Sequence, residues 1–232
     1  MTAKDIQKVL RSLANPEIAE HSQHFFKTGI GEYGEGDKFL GIRIPMLRKL
    51  LKEFKTTSLK QILILLKSAY HEERLFSLLL LVDKFKISDV HEKAVIYDLY
   101  INNTKYINNW DLVDSSANHI AGAYLDDKDK QPIYQLALSD SLWERRIAII
   151  STFHLIRKNE FYDALEISAL LLGGSEDLVH KAVGWMLREI GKRDITAEKT
   201  FLDKHYKEMP RTMLRYAIER FQKKERKAYL NK

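Results

Sequence analysis

The 232 residues contain no cysteine. That absence excludes disulfides, thiolate zinc sites, cysteine-ligated iron–sulfur clusters and any cysteine nucleophile. Long apolar runs are missing too: the longest, Leu75 to Val82, falls far short of the ~18 residues of a membrane span. The start, Met1-Thr2-Ala3-Lys4-Asp5, has no apolar stretch of a signal peptide. A soluble cytoplasmic protein is the expectation. No Asn-Gly or Asp-Gly hairpin signal and no sustained period-2 run occurs. The eight histidines show no ligand spacing, so neither a metal nor another cofactor is expected. His71-Glu72 and His91-Glu92 begin like H-E-x-x-H but lack the second histidine. Gly29-Ile30-Gly31-Glu32-Tyr33-Gly34 matches G-x-G-x-x-G letter for letter. It follows a helical pattern rather than a strand, and Glu32 and Glu35 would repel a pyrophosphate. Five of the ten glycines fall between Gly29 and Gly41, which marks this loop as the least regular part of the chain.

What is present is helical periodicity. Ile6, Val9, Leu10 and Leu13 follow i, i+3, i+4, i+7 spacing, as do Leu47, Leu50, Leu51 and Phe54. Met213, Leu214, Ala217, Ile218 and Phe221 form another stripe, with Arg and Lys opposite. The four prolines, Pro16, Pro45, Pro132 and Pro210, each stand where a helix would begin, a position proline tolerates. Asn15 and Ser58 read as N-caps. The pattern predicts an all-α chain of on the order of a dozen helices, many of about 12 to 18 residues in antiparallel pairs. Trp110, Trp143 and Trp185 lie 33 and 42 residues apart, near the ~40-residue period of HEAT-type pairs. Each has a charge one helical turn later: Asp114, Arg146 and Arg188. Stacked pairs would bring such equivalent positions to one curved face, so an α-solenoid is favoured over a bundle.

The net charge of +6 is unevenly spread. From Lys204 to the end there are ten basic residues and three acidic ones, a local excess of +7 that leaves −1 for the rest. A basic terminus on a neutral body suits a polyanion, although a solvated lysine-rich helix has the same composition.

Asn109-Trp110-Asp111-Leu112-Val113-Asp114 opens a helix whose apolar stripe runs Trp110, Val113, Ala117, Ile120, Ala121, Tyr124. Asp114 stands one turn above Trp110 on the same side. Two readings of that carboxylate stay open on pattern alone: a buried Asp paired with a neighbouring Arg or Lys, or a reactive group beside an indole. For the tryptophans, core packing is the competing account.

At these residues the chain resembles the AlkD-type DNA glycosylases, right-handed α-solenoids of HEAT-like antiparallel helix pairs with a concave basic face. The matching segments are Trp110-Asp111-Leu112-Val113-Asp114, Leu142-Trp143-Glu144-Arg145-Arg146-Ile147-Ala148 and Lys181-Ala182-Val183-Gly184-Trp185-Met186-Leu187-Arg188-Glu189. Phe39-Leu40-Gly41-Ile42-Arg43-Ile44-Pro45 and the stretch from Pro210 to Phe221 add to them. The resemblance spans the chain, so it implies a single domain over 1–232. It implies a monofunctional hydrolase acting as a monomer on cationic N3- or N7-alkylated purines in double-stranded DNA, without base flipping. Asp114 would be the catalytic carboxylate, with Trp110 and Trp185 facing the damaged nucleotide's sugar. Arg146 and Arg188 would contact the DNA backbone, and the exposed basic helix adds Arg211 and Arg215. Where the family carries a tyrosine near the lesion, Phe25 and Phe26 stand in the matching segment. A non-catalytic DNA-binding protein of the same fold is the alternative reading, and a scaffold for an acidic protein partner is a third.

Overall fold

The computed structural model describes residues 1–231; Lys232, counted in the basic terminus, lies outside them. Among these residues the chain is helical, and its one β feature is an isolated bridge between Lys38 and Tyr70. It divides into two compact units, 1–116 and 117–232, whereas the sequence reading treats 1–232 as one domain.

In the first unit, helices α1 (Ala3–Ser12), α2 (Pro16–Phe25), α3 (Ile44–Phe54), α4 (Leu59–Leu66), α5 (His71–Ile87), α6 (Val90–Ile101) and α7 (Trp110–Asp114) follow in order. Local chemistry sets their starts. Thr2 and Asp5 form a reciprocal capping box on α1. Asn15 caps α2 by accepting from the Ile18 amide at 3.0 Å, with Pro16 next in line. Ser58 stands at the cap of α4 but makes no side-chain bond there. Helix α5 is the centre of the unit, packing on α3, α4, α6 and α7. It is buried on nearly every side from His71 to Val82, as expected for a helix without a polar face. Ile6, Leu10, Leu47, Ile62, Leu65 and Leu66 close around it. Each such side chain stabilises the fold by roughly 1.5–3 kcal/mol relative to exposure.

The second unit holds a π-helical turn at Asn118–Gly122 and helices α8 (Gln131–Ala137), α9 (Leu142–Ser151), α10 (Phe153–Ile156), α11 (Tyr162–Leu170), α12 (Asp177–Gly191), α13 (Ile195–His205), α14 (Arg211–Ala217) and α15 (Lys223–Leu230). Its centre is α12, packed on α9, α10, α11, α13 and α14. Gly184 permits the closest of these approaches. A Cβ there would lie 2.4 Å from the Met213 carbonyl oxygen and 2.5 Å from the Tyr216 Cβ, so α12 and α14 meet backbone to backbone.

Two expectations differ from the structure. Only α5, α6 and α12 among the described helices reach twelve residues. The helix expected from Trp110 to Tyr124 is also not regular: α7 ends at Asp114, and 118–122 wind more widely. Serine and threonine hydroxyls stand at two of these breaks. Ser115 and Ser116 donate back to the Leu112 carbonyl at 3.2 and 2.6 Å, while Ser151 and Thr152 do the same to Ile147 and Ile149 where α9 gives way to α10. Such back-bonding competes with the helical ladder and bends it. No helix among the described residues is long and apolar enough to cross a membrane.

Candidate active site

Helix α7 is a single short turn with two carboxylates, and the structure gives them different surroundings. Asn109 starts it, its side-chain oxygen accepting from the Trp110 amide at 2.8 Å. Asp111, in the first turn, is 7% exposed. Its Oδ1 accepts from the Leu112 amide at 2.9 Å and its Oδ2 meets His71 Nε2 at 2.8 Å. Asp114, one turn on from Trp110, is only partly buried. Its charge bears on the fully buried Tyr100, whose hydroxyl, bonded to Ser116 at 3.0 Å, is raised well above its ordinary value by burial first and by Asp114 second. Asp111, three positions before Asp114, is thus a buried aspartate paired with His71.

The phenylalanines meet Trp110. Phe26 stacks on the indole with centroids 5.4 Å apart and planes 18° from parallel, and Phe25 approaches edge-on at 6.1 Å. Phe25 is 58% exposed, an aromatic face left open beside the tryptophan. Behind them Phe26 stacks on Phe39 at 5.0 Å, and Phe39 on His71 at 4.5 Å. The column thus runs from a surface aromatic to a buried imidazole.

The four residues that open α5, His71-Glu72-Glu73-Arg74, are all buried, and each is bound to segments outside α5. His71 Nδ1 meets Asp37 Oδ2 at 2.8 Å, and Arg74 Nη2 donates to Asp37 Oδ1 at 2.8 Å. Glu72 accepts the amides of Leu40, Gly41 and Ile42 at 2.8, 2.8 and 3.1 Å. Glu73 accepts from Gln7, Arg11 and Ser68 at 2.7, 2.8 and 2.6 Å. Sequence reasoning passed over this tetrad because it considered His71-Glu72 only as a broken metal motif. The signal that could have found it is four consecutive ionisable residues directly before the most apolar run of the chain, Leu75 to Val82, since charges in such a position must be paired.

The glycine loop between α2 and α3 follows a helix, as read from the sequence, and no helix opens on it. Its acids serve the loop itself: Glu32 accepts from the Gly29 amide and Glu35 from the Gly31 amide, both at 2.9 Å. Gly31 and Gly36, both at φ 78°, need the left-handed region that glycine supplies. Gly41, at φ 79°, also brings the chain against α2, where a Cβ would lie 2.1 Å from the Asn15 carbonyl oxygen.

In the second unit, Trp185 is half-buried, its indole N–H donating to Glu189 at 3.1 Å and its ring tilted on Phe153 at 5.8 Å. Arg188 is paired with Glu219. Arg211 and Arg215 are exposed on α14, opposite the buried Met213, Leu214 and Ala217. Arg211 donates weakly to the Leu230 carbonyl at 3.4 Å. Arg146 is the most buried of these arginines. It lies on the inward face of α9 beside Ile147, Ala148, Ile149 and Ile150, is 5% exposed, and gives a guanidinium N–H to the Leu178 carbonyl. The preceding residue, Arg145, pairs with Glu176 at 2.6 Å. No group of three or more His, Asp or Glu able to hold a metal occurs among the described residues.

Comparison with known proteins agrees with the helical architecture. A solved structure described as a predicted DNA alkylation repair enzyme from Enterococcus faecalis superposes with a TM-score of 0.68 over 90% of this chain and 97% of that one, at 17% sequence identity. That likeness shows a shared fold. No curated protein matches the sequence significantly. The family described as DNA alkylation repair enzyme matches residues 6–221, nearly the whole chain and all the segments discussed above, and the chain belongs to that family.

Proposed function

We propose that the protein is a monofunctional DNA glycosylase that hydrolyses the N-glycosidic bond of cationic N3- or N7-alkylated purines in duplex DNA, on a HEAT-like solenoid. The observation that carries this reading is the placement of a partly exposed carboxylate, Asp114, one turn from an indole, Trp110, on a helix held by a buried ion pair. An alkylated purine already carries positive charge and leaves as a neutral base without being protonated. The acid-form carboxylate that ordinary glycoside hydrolysis needs is then dispensable. One ionised carboxylate suffices to stabilise the oxocarbenium-like sugar and to position the attacking water. Trp110 is assigned to that cationic sugar, as is Trp185 from the family resemblance, a cation–π contact being worth roughly 0.5–2 kcal/mol.

Exposed Phe25 and the stacked Phe26 extend the aromatic surface on which a nucleotide can rest. Arg211 and Arg215, projecting from one side of α14, are the residues we assign to phosphates, with Arg188 oriented by Glu219. Arg146 gives one guanidinium N–H to the Leu178 carbonyl, and its assignment to the DNA backbone rests on the family resemblance. Backbone gripping of this kind needs no extrusion of the base.

The test is release of free 7-methylguanine from a duplex oligonucleotide carrying one such lesion. We expect release by the wild-type chain and a loss of about 100-fold or more in Asp114→Asn with duplex binding retained. A folded wild-type protein that binds the duplex and releases nothing would favour the non-catalytic DNA-binding alternative.

A further inference from the structure

We propose that His71 is a positioning residue for the reacting helix: held between Asp37 and Asp111, its imidazolium sets where Trp110 and Asp114 stand. The inference rests on the reading of α7 as the element that carries the chemistry. Its geometric basis is independent of that reading.

Both ring nitrogens of His71 lie 2.8 Å from a carboxylate oxygen, Nδ1 from Asp37 and Nε2 from Asp111. An ionised carboxylate only accepts, so a ring bonded at both ends must carry both protons. The ring is 2% exposed and the carboxylates are 3% and 7% exposed, so water cannot substitute for a missing donor. Arg74 supplies the fourth charge, with one guanidinium N–H on Asp37 at 2.8 Å and another on the Ser68 carbonyl at 3.1 Å. Two anions and two cations make the cluster neutral while all four stay ionised. The other charges opening α5 are engaged elsewhere, Glu72 on the amides of residues 40–42 and Glu73 on Gln7, Arg11 and Ser68.

Three separate segments meet at this one ring. Asp37 comes from the loop after α2, His71 opens α5, and Asp111 lies in the first turn of α7. The His71 amide also donates to the Lys38 carbonyl at 2.7 Å, so loop and helix are joined through backbone as well as side chain. Above the ring lie Phe39 at 4.5 Å and Phe26 at 5.0 Å, and Phe26 passes the stack on to Trp110 at 5.4 Å. A cation beneath aromatic faces strengthens such a column. Trp110 is therefore located twice, through the backbone of its neighbour Asp111 and through its own ring. Asp114 follows from the same short turn. Asp111 is committed at both oxygens to structure, and the chemistry proposed above falls to the partly buried Asp114.

Burial by itself would lower the basicity of His71; the charges of Asp111 and Asp37 and their hydrogen bonds override it and raise the ring to about 9. The same arrangement holds Asp37 below the usual carboxylate range: burial pushes it up, and the His71 and Arg74 partners more than compensate.

Nitrogen-15 NMR of the full-length wild-type chain tests this without a variant. We expect both ring nitrogens of His71 to be protonated at pH 7 and to titrate with a midpoint near 9, with the indole N–H of Trp110 shifting in the same titration. A neutral ring at pH 7, or an indole signal indifferent to the titration, would overturn the proposal. As a second arm, His71→Gln is compared with wild type in single-turnover release of 7-methylguanine. We expect a rate lower by about tenfold or more with duplex affinity changed by less than about threefold, because misplacement costs the reaction more than binding. An unchanged rate in the folded variant would equally overturn it. If the wild type itself releases no base, the glycosylase reading fails while the NMR titration still decides the role of His71.

Discussion

At the scale of single residues, two buried titratable groups have opposite formal charge and the same dependence on pH. His71 is raised from 6.5 to about 9 in the folded protein. Its contribution to stability is fully present below 6.5 and is lost as pH rises through 9. Glu198, on α13, is 2% exposed with its Oε1 unpartnered. Burial pushes its carboxyl to about 8, against the opposing pull of Arg188 and Lys199. Because the folded state prefers its neutral form, the stability it contributes is present below its ordinary 4.5 and is lost as pH rises through 8. Glu198→Gln keeps the shape and removes the charge. Compared with wild type at each pH, so that His71 cancels, the variant should melt at the same temperature at pH 4. At pH 9 it should be more stable by about 2 kcal/mol, or roughly 4–8 °C. Calorimetry at the two pH values checks it; an equal gap at both would show that the carboxyl does not titrate as described. Neither group stood out in the sequence. A lone His and a lone Glu on a helical pattern look alike whether buried or exposed, and what shifts them comes from segments tens of residues away.

At the scale of elements, periodicity located amphipathic helices well and central ones poorly. The stripes of α1, α3 and α14 match their buried residues Ile6, Leu10, Leu47, Leu50, Met213, Leu214 and Ala217, whereas Leu13, at the C-cap of α1, is exposed. All four prolines fall within the first two positions of a helix or at its cap, because a missing amide hydrogen is harmless only there. The tetrad opening α5 escaped notice because its partners are distant loops and not helix neighbours. The 40–42 segment shows what such a contact does. Three consecutive amides converge on Glu72, which a carboxylate can satisfy with two acceptor oxygens and an amide side chain cannot. We expect Glu72→Gln to destabilise the first unit by about 2–4 kcal/mol. Hydrogen exchange at Leu40, Gly41 and Ile42 should speed up well before that at the core of α12. Uniform acceleration across both units would mean that the bond set is not local to this loop.

At the scale of the whole molecule, charge is the property that composition exposed most plainly. Ten basic residues crowd the last 29 positions, and among the described ones Arg211, Arg215 and Arg220 are exposed. If Arg211 and Arg215 meet phosphates, duplex binding should weaken linearly in log–log form with salt. The double variant Arg211→Ala/Arg215→Ala should lose about two units of that slope, near 0.9 per phosphate contact. Titration of one duplex at several salt concentrations measures it, and an unchanged slope would move the DNA footprint off α14. The tryptophan spacing and the basic terminus were readable because they depend on residue identity alone. The pairing of Arg188 with Glu219 and the burial of Arg146 were not, since which face of a helix turns inward is decided by its neighbours.

The four charges at the start of α5 also constrain how the first unit can assemble. His71 reaches partners 34 and 40 residues away, Glu72 partners 30 to 32 away, Glu73 partners up to 66 away and Arg74 one 37 away. The apolar run behind them would collapse readily on almost any greasy surface. Yet any collapse that seals this helix before all four counterparts arrive strands a dehydrated ion. Wrong compact states are thereby raised in energy relative to the one arrangement that satisfies every charge, widening the gap on which a single native state depends. The residues that hold α7 in place thus also act as a checkpoint on the order in which distant parts of the chain may close.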